Sequence, residues 1–87
     1  MKHATAATLA RIDGLLGQIR ARTALKEKTP GVFYLRGKAF LHFHDDPGGI
    51  FADVRLDGTD FTRFRAVSAA EQKALLSAVD DFLTAGA

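Results

Sequence analysis

Two β-rich runs with only two residues between them restrict this chain more than any other feature. Val32-Phe33-Tyr34-Leu35-Arg36 and Ala39-Phe40-Leu41-His42-Phe43-His44 flank Gly37-Lys38, a glycine-first pair suited to a two-residue type II′ turn, which predicts an antiparallel hairpin. In that register Leu35 faces Phe40 and Phe33 faces His42 on one surface, while Tyr34 with Leu41 and Val32 with Phe43 line the other. Both surfaces are then apolar, whereas an antiparallel sheet with one wet face alternates apolar and polar residues. The second face therefore requires a cover. Either each terminal helix takes one face, or both share a face and leave an aromatic surface for a second copy or a ligand.

The flanking segments complete an α+β pattern. Leu9, Ile12, Leu16, Ile19 and Thr23 recur at three- and four-residue spacing, with Leu15 widening the stripe, which predicts an amphipathic helix over residues 4–22. Gly14 and Gly17 each cost about 1 kcal/mol relative to Ala inside a helix. Either the helix breaks there or another element packs closely against it, and close packing is the preferred reading. The polar stretch Lys26-Glu27-Lys28-Thr29-Pro30-Gly31 ends in a Pro-Gly turn signal and closes the helical region. Beyond the hairpin, the turn Asp45-Asp46-Pro47-Gly48-Gly49 leads into residues 50–56, where Ile50, Ala52, Val54 and Leu56 alternate with Asp53 and Arg55, the pattern of a third, half-buried strand. Residues 61–67 read equally well as a short fourth strand or an irregular return. Ser68-Ala69-Ala70-Glu71 has the form of a capping box, so a helix begins at Ala69 and buries Gln72, Leu75, Leu76, Val79, Phe82 and Leu83. The expected fold is α+β: an N-terminal helix, a three- or four-stranded antiparallel meander sheet and a C-terminal helix, in one domain over residues 1–87.

At 87 residues the chain supports one core, because a domain of this size buries only roughly 60–65% of its unfolded surface. With no cysteine there is no disulfide, thiolate metal site or cysteine nucleophile, and the expected compartment is the cytoplasm. Residues 1–8 lack the apolar stretch of a secretory signal, and no apolar run approaches the roughly 20 residues needed to cross a bilayer; no membrane partner is expected. The net charge of +2 conceals an uneven distribution. Residues 1–40 hold eight Lys and Arg against two acids, giving +6, and residues 41–87 hold four against eight, giving −4. That split suits either attraction between the two halves, within the fold or a dimer, or a basic face for an anionic partner.

Three groups of residues carry candidate chemistry. His42 and His44 lie two apart on a strand, so their rings share a face. If the next hairpin pairs His44 with Phe51, His42 lies opposite Asp53, and two imidazoles and a carboxylate converge as in facial metal sites. Pairing His44 with Ile50 instead would put the histidines on the Ala52 and Val54 face. Secondly, Arg20, Arg22, Lys26, Lys28, Arg36 and Lys38 lie near Phe33, Tyr34 and Phe40, and Arg63 and Arg65 could extend that group; cations interleaved with aromatic rings hold phosphates and stack bases. Thirdly, Tyr34, Leu41, Phe43 and Phe51 make an apolar sheet surface. The Asp45-Asp46 loop reads as an ordinary turn with an Asp bonded to its own backbone. Ser68 is accounted for by its cap, and no nucleophile elbow, phosphate-binding glycine loop or dinucleotide fingerprint occurs.

The stretch Gly31-Val32-Phe33-Tyr34-Leu35-Arg36-Gly37-Lys38-Ala39-Phe40, with Asp53-Val54-Arg55-Leu56 and a C-terminal helix, resembles the MmcQ/YjbR-like bacterial domains. Phe40-Leu41-His42-Phe43-His44-Asp45-Asp46-Pro47-Gly48-Gly49 is similar to a run in uncharacterised small bacterial proteins. The resemblance implies an α+β fold and, loosely, DNA binding; it carries over no catalytic residue and no cofactor. The sequence reading is thus of a non-enzymatic binding or self-association module, a homodimer formed through the second sheet face, with nucleic-acid binding through the basic residues as the alternative and a metal site at His42, His44 and Asp53 as the third reading. Binding residues on these readings are Arg20, Arg22, Arg36, Lys38, Tyr34, Phe43 and Phe51.

Overall fold

The computed structural model describes residues 2–85. A short strand β1 (Lys2–His3) precedes two helices, α1 (Ala6–Arg11) and α2 (Asp13–Arg20). The helical stripe predicted over 4–22 is therefore interrupted. Thr5 caps α1 by accepting a hydrogen bond from the Thr8 amide at 3.2 Å. The chain leaves helical geometry at Ile12, with φ −119° and ψ 27°, where the Ile12 amide donates to the Leu9 carbonyl and its own carbonyl accepts from Leu16. The close packing expected at Gly14 and Gly17 is absent: a Cβ at either would meet nothing within 4 Å. Ile12, Leu15, Leu16 and Ile19 are all buried despite the break.

Five strands then form an antiparallel meander in the order β2 (Leu25–Thr29), β3 (Val32–Leu35), β4 (Lys38–Asp46), β5 (Gly49–Val54) and β6 (Thr62–Arg65), with β1 pairing the end of β4 beyond β3. The expectation of three or four strands falls short because Lys26-Glu27-Lys28 read as a loop. In β2 only Leu25 is buried, so this edge strand lacks the apolar alternation that marks a strand in sequence. The stretch at 61–67 resolves as the short strand β6. Helix α3 (Ala69–Ala85) closes the fold on the expected capping box: the Glu71 amide donates to Ser68 Oγ at 3.1 Å and the Ser68 amide donates to the Glu71 carboxylate at 2.9 Å. The bond from the Ser68 amide, with those from Arg65 and the Val67 amide, holds the Glu71 carboxyl down at about 2.

The turn of the first hairpin is Arg36-Gly37 rather than Gly37-Lys38. Leu35 pairs with Lys38, and φ is +51° at Arg36 and +81° at Gly37, the positive pair of a type I′ turn, in which glycine at the second position removes the Cβ clash. The ladder shifts between Phe33 and Tyr34, so that Tyr34 pairs with Ala39, Phe33 with Leu41 and Val32 with His42, leaving Phe40 as the extra residue of a bulge. The expected face assignment is corrected accordingly. Phe33, Leu41 and Phe43 share one face and are buried, so Leu41 and Phe43 are removed from the proposed partner surface. Tyr34 and Val32 share the opposite face with His42.

The buried residues of all three helices join Phe33, Leu41, Phe43, Ile50, Ala52 and Val54 in a single core. Both helical regions thus pack on the same face of the sheet, tied to each other where Arg22 donates to both oxygens of Asp80 at 2.8 Å. No helix of the described residues is long and apolar enough to cross a membrane.

Two glycine substitutions test this packing. Gly17 lies mid-helix with open space around it, so Gly17→Ala is expected to stabilise the protein by about 0.5–1 kcal/mol. Gly31 has φ +77° and a Cβ there would fall 2.7 Å from Leu9 Cδ2, so Gly31→Ala is expected to destabilise by about 1–3 kcal/mol. Denaturant melts of the two variants beside the native chain check both signs.

Candidate functional site on the open face of the sheet

The face away from the helices is organised by two cross-strand rows. In the first, Val32, His42, Asp53 and Arg63 stand opposite one another on β3, β4, β5 and β6; in the second, His44, Phe51 and Arg65 do so. The second hairpin adopts the register that pairs His44 with Phe51 and His42 with Asp53, the first of the two alternatives open in the sequence. Its turn is the two-residue Pro47-Gly48, between the paired Asp46 and Gly49.

Asp53 is the centre of this face. It is only 7% exposed, and a carboxylate so placed requires partners, since burying an unpaired charge costs several kcal/mol. Arg63 supplies a fork, with Nε donating to Oδ1 at 2.8 Å and Nη2 to Oδ2 at 3.1 Å. His44 Nε2 lies 2.9 Å and His42 Nε2 3.7 Å from the same Oδ2. Burial alone would raise the Asp53 carboxyl, but the Arg63 hydrogen bond and charge, with His44 and His42, outweigh it and hold the group below its ordinary value. The carboxylate is therefore ionised at neutral pH. The two imidazole rings meet edge to face, with centroids 4.7 Å apart, and one atom from each of His42, His44 and Asp53 falls within 4.8 Å of the others.

Around this cluster the face pairs aromatic rings with cations. The Lys28 ammonium lies 4.6 Å from the centre of the Tyr34 ring, the Arg55 guanidinium 4.4 Å from Phe61 and the Arg63 guanidinium 6.0 Å from Phe51. Phe61 also lies 4.8 Å from the His42 ring and is exposed. Lys26 is directly opposite Tyr34. A groove of about 350 Å³ runs beside Tyr34, lined by Ala24, Lys26, Lys28, Arg36 and Gly37.

The residues singled out from sequence divide between the two layers. His42, His44, Asp53, Tyr34 and Phe51 come together on the open face, with Arg36 at its edge in the hairpin turn, whereas Phe43 lies in the core. Arg20 and Arg22 belong to the helical layer, where Glu27 and Asp80 hold them, so the basic residues of the first half do not form one patch. Lys38 is exposed at the start of β4 and lines a second cleft with Arg36, Phe40, Arg55 and Phe82. Arg55 and Phe61 were missed as binding residues, because Phe61 lies just before β6 and only the fold brings it over His42. Arg63 was legible as a partner for Asp53 only once residues 62–65 were known to be a strand.

Comparison with protein families, curated proteins and solved structures finds no match to this chain.

The Arg63–Asp53 fork predicts a double-mutant result. Arg63→Met, which strands the buried carboxylate, is expected to lower the melting midpoint by several degrees, and Arg63→Met with Asp53→Asn to recover part of that loss. Thermal unfolding of the single and double variants provides the comparison.

Proposed function

We propose that this chain is a non-enzymatic binding module whose ligand surface is the open face of the sheet, and that the ligand is single-stranded nucleic acid. One observation carries the reading: on a face that no helix covers, three aromatic rings, Tyr34, Phe51 and Phe61, each lie beside a cation, Lys28, Arg63 and Arg55. Rings offer a stacking surface to any base, and cations track the phosphates between bases. An extended single strand can lie across such a sheet, whereas a duplex keeps its bases stacked on one another.

The charge on this face favours an anionic ligand over a second copy of the chain. Among the described residues Lys26 and Lys28 form no ion pair with a carboxylate, and Arg55 donates to the carbonyls of Ala39 and Thr59, with Asp57 nearby. Two copies placed face to face would bring these cations together, so the self-association expected from sequence is opposed by the same surface that suits a polyanion.

Binding of a short oligothymidylate or oligouridylate, followed by fluorescence anisotropy, tests the reading. Affinity is expected to fall steeply with salt, by a log–log slope of about −0.7 per neutralised phosphate. Tyr34→Ala or Phe61→Ala is expected to cost about 1–3 kcal/mol of binding, and Lys26→Glu with Lys28→Glu to weaken it further and flatten the slope. Charge reversal at Lys38 leaves affinity unchanged on this account. Absence of binding at low salt, or binding indifferent to the Tyr34 and Lys26/Lys28 changes, rejects it.

A further inference from the structure

We propose that His42, His44 and Asp53 form a binding site for a divalent transition-metal ion, with zinc as the ion that fits best. The site lies at the centre of the open face but does not rest on the nucleic-acid reading: the two share Arg63, which holds Asp53, but the donors His42, His44 and Asp53 are neither the stacking rings nor the cations of that reading.

The donor set comes first. Two imidazole nitrogens and one carboxylate oxygen are the ligands of zinc and its first-row neighbours, whereas magnesium and calcium take oxygen donors almost exclusively. The second point is distance. In a tetrahedral site with bonds of about 2.0–2.1 Å, ligand atoms lie about 3.3 Å from one another. Asp53 Oδ2 is 2.9 Å from His44 Nε2 and 3.7 Å from His42 Nε2, so these two separations bracket the required one. All three donor groups are within 4.8 Å of each other, and adjustments of an ångström or so at the two rings would complete the geometry.

The third point is support. The histidines are two positions apart on β4 and Asp53 lies directly across from His42 on β5, so paired strands rather than a loop fix the donors. Arg63 holds both carboxylate oxygens, Nε on Oδ1 at 2.8 Å and Nη2 on Oδ2 at 3.1 Å, and so fixes Oδ2 where it faces both imidazoles. Ligating carboxylates are ordinarily held by such an outer hydrogen bond. Entry of the ion requires both rings neutral with their protons on Nδ1, so that Nε2 can bind. The ion replaces the direct approach of His44 Nε2 to Oδ2. With only three protein donors, the fourth position belongs to water.

Titration of the full chain with zinc chloride by calorimetry, beside magnesium chloride, tests the assignment. Expected results are binding of one zinc per chain, no response to magnesium, and a loss of at least tenfold in zinc affinity for each of His42→Ala and His44→Ala. Zinc should also shift the Nε2 resonances of both rings in the native chain, a readout that needs no variant to fold. Oligonucleotide binding by His44→Ala, measured with chelator present, separates the two proposals: its retention alongside lost zinc affinity supports a distinct metal site. No zinc binding by the native chain, unchanged affinity in both histidine variants, or unmoved Nε2 resonances would overturn the metal site and leave the nucleic-acid reading standing.

Discussion

A single extra residue in β4 decides what each face of this protein is for. With Leu35 paired to Lys38 and Tyr34 to Ala39, an uninterrupted ladder would match Phe33 with Phe40 and Val32 with Leu41. Leu41 and Phe43 would then point away from the helices, and His42 and His44 into the core. The bulge at Phe40 advances the partner strand by one, so Phe33 meets Leu41 and Val32 meets His42. Phe40 itself stays buried and reaches α3, where its ring lies 5.5 Å from that of Phe82. The bulge thus adds an aromatic contact to the core and at the same step turns two imidazoles outward.

The outward face then faces a problem of charge. Asp53 sits in the middle of the sheet, where a carboxylate loses most of its water, and the strand beside it answers with Arg63. Because the fork of Arg63 fixes the carboxylate, the oxygen shared with His42 and His44 is held in place before any ligand arrives. Such preorganisation lowers the ordering cost of binding. Lys28 stands beside Tyr34, Lys26 opposite it and Arg55 beside Phe61, so the face offers cations next to rings although the carboxylates of Asp46 and Asp53 lie within or beside it.

How far the sequence revealed this depended on whether local or long-range geometry set each feature. The capping box at Ser68 and Glu71, the third strand and the C-terminal helix were legible because neighbouring residues decide them. The helix break at Ile12 was not foreseen: a break was weighed only near Gly14 and Gly17, with close packing preferred, since the apolar stripe continues through Ile12. β2 was missed because an edge strand with charged residues at three successive positions carries no period-two signal. The hairpin turn was displaced by one residue, because arginine with positive φ is disfavoured locally and the sequence therefore pointed to the glycine as the first turn residue. The bulge at Phe40, which no local residue pattern signals, is why Phe43 was assigned to a binding surface when it belongs to the core. The convergence of His42, His44 and Asp53 was anticipated as one of two registers, but the choice between them needed the structure.

The account rests on the open face, and not the helical layer, being the surface that meets a ligand. The most direct measurement is a map of backbone amide shifts during titration of the native chain with a short single-stranded oligonucleotide at low salt. The account predicts that the moving amides cluster at Lys26, Tyr34, His42, Phe51, Phe61 and Arg63, while those of Leu15, Leu75 and Val79 remain still. Shifts confined to α1, α2 and α3, or none at any point of the titration, would contradict it.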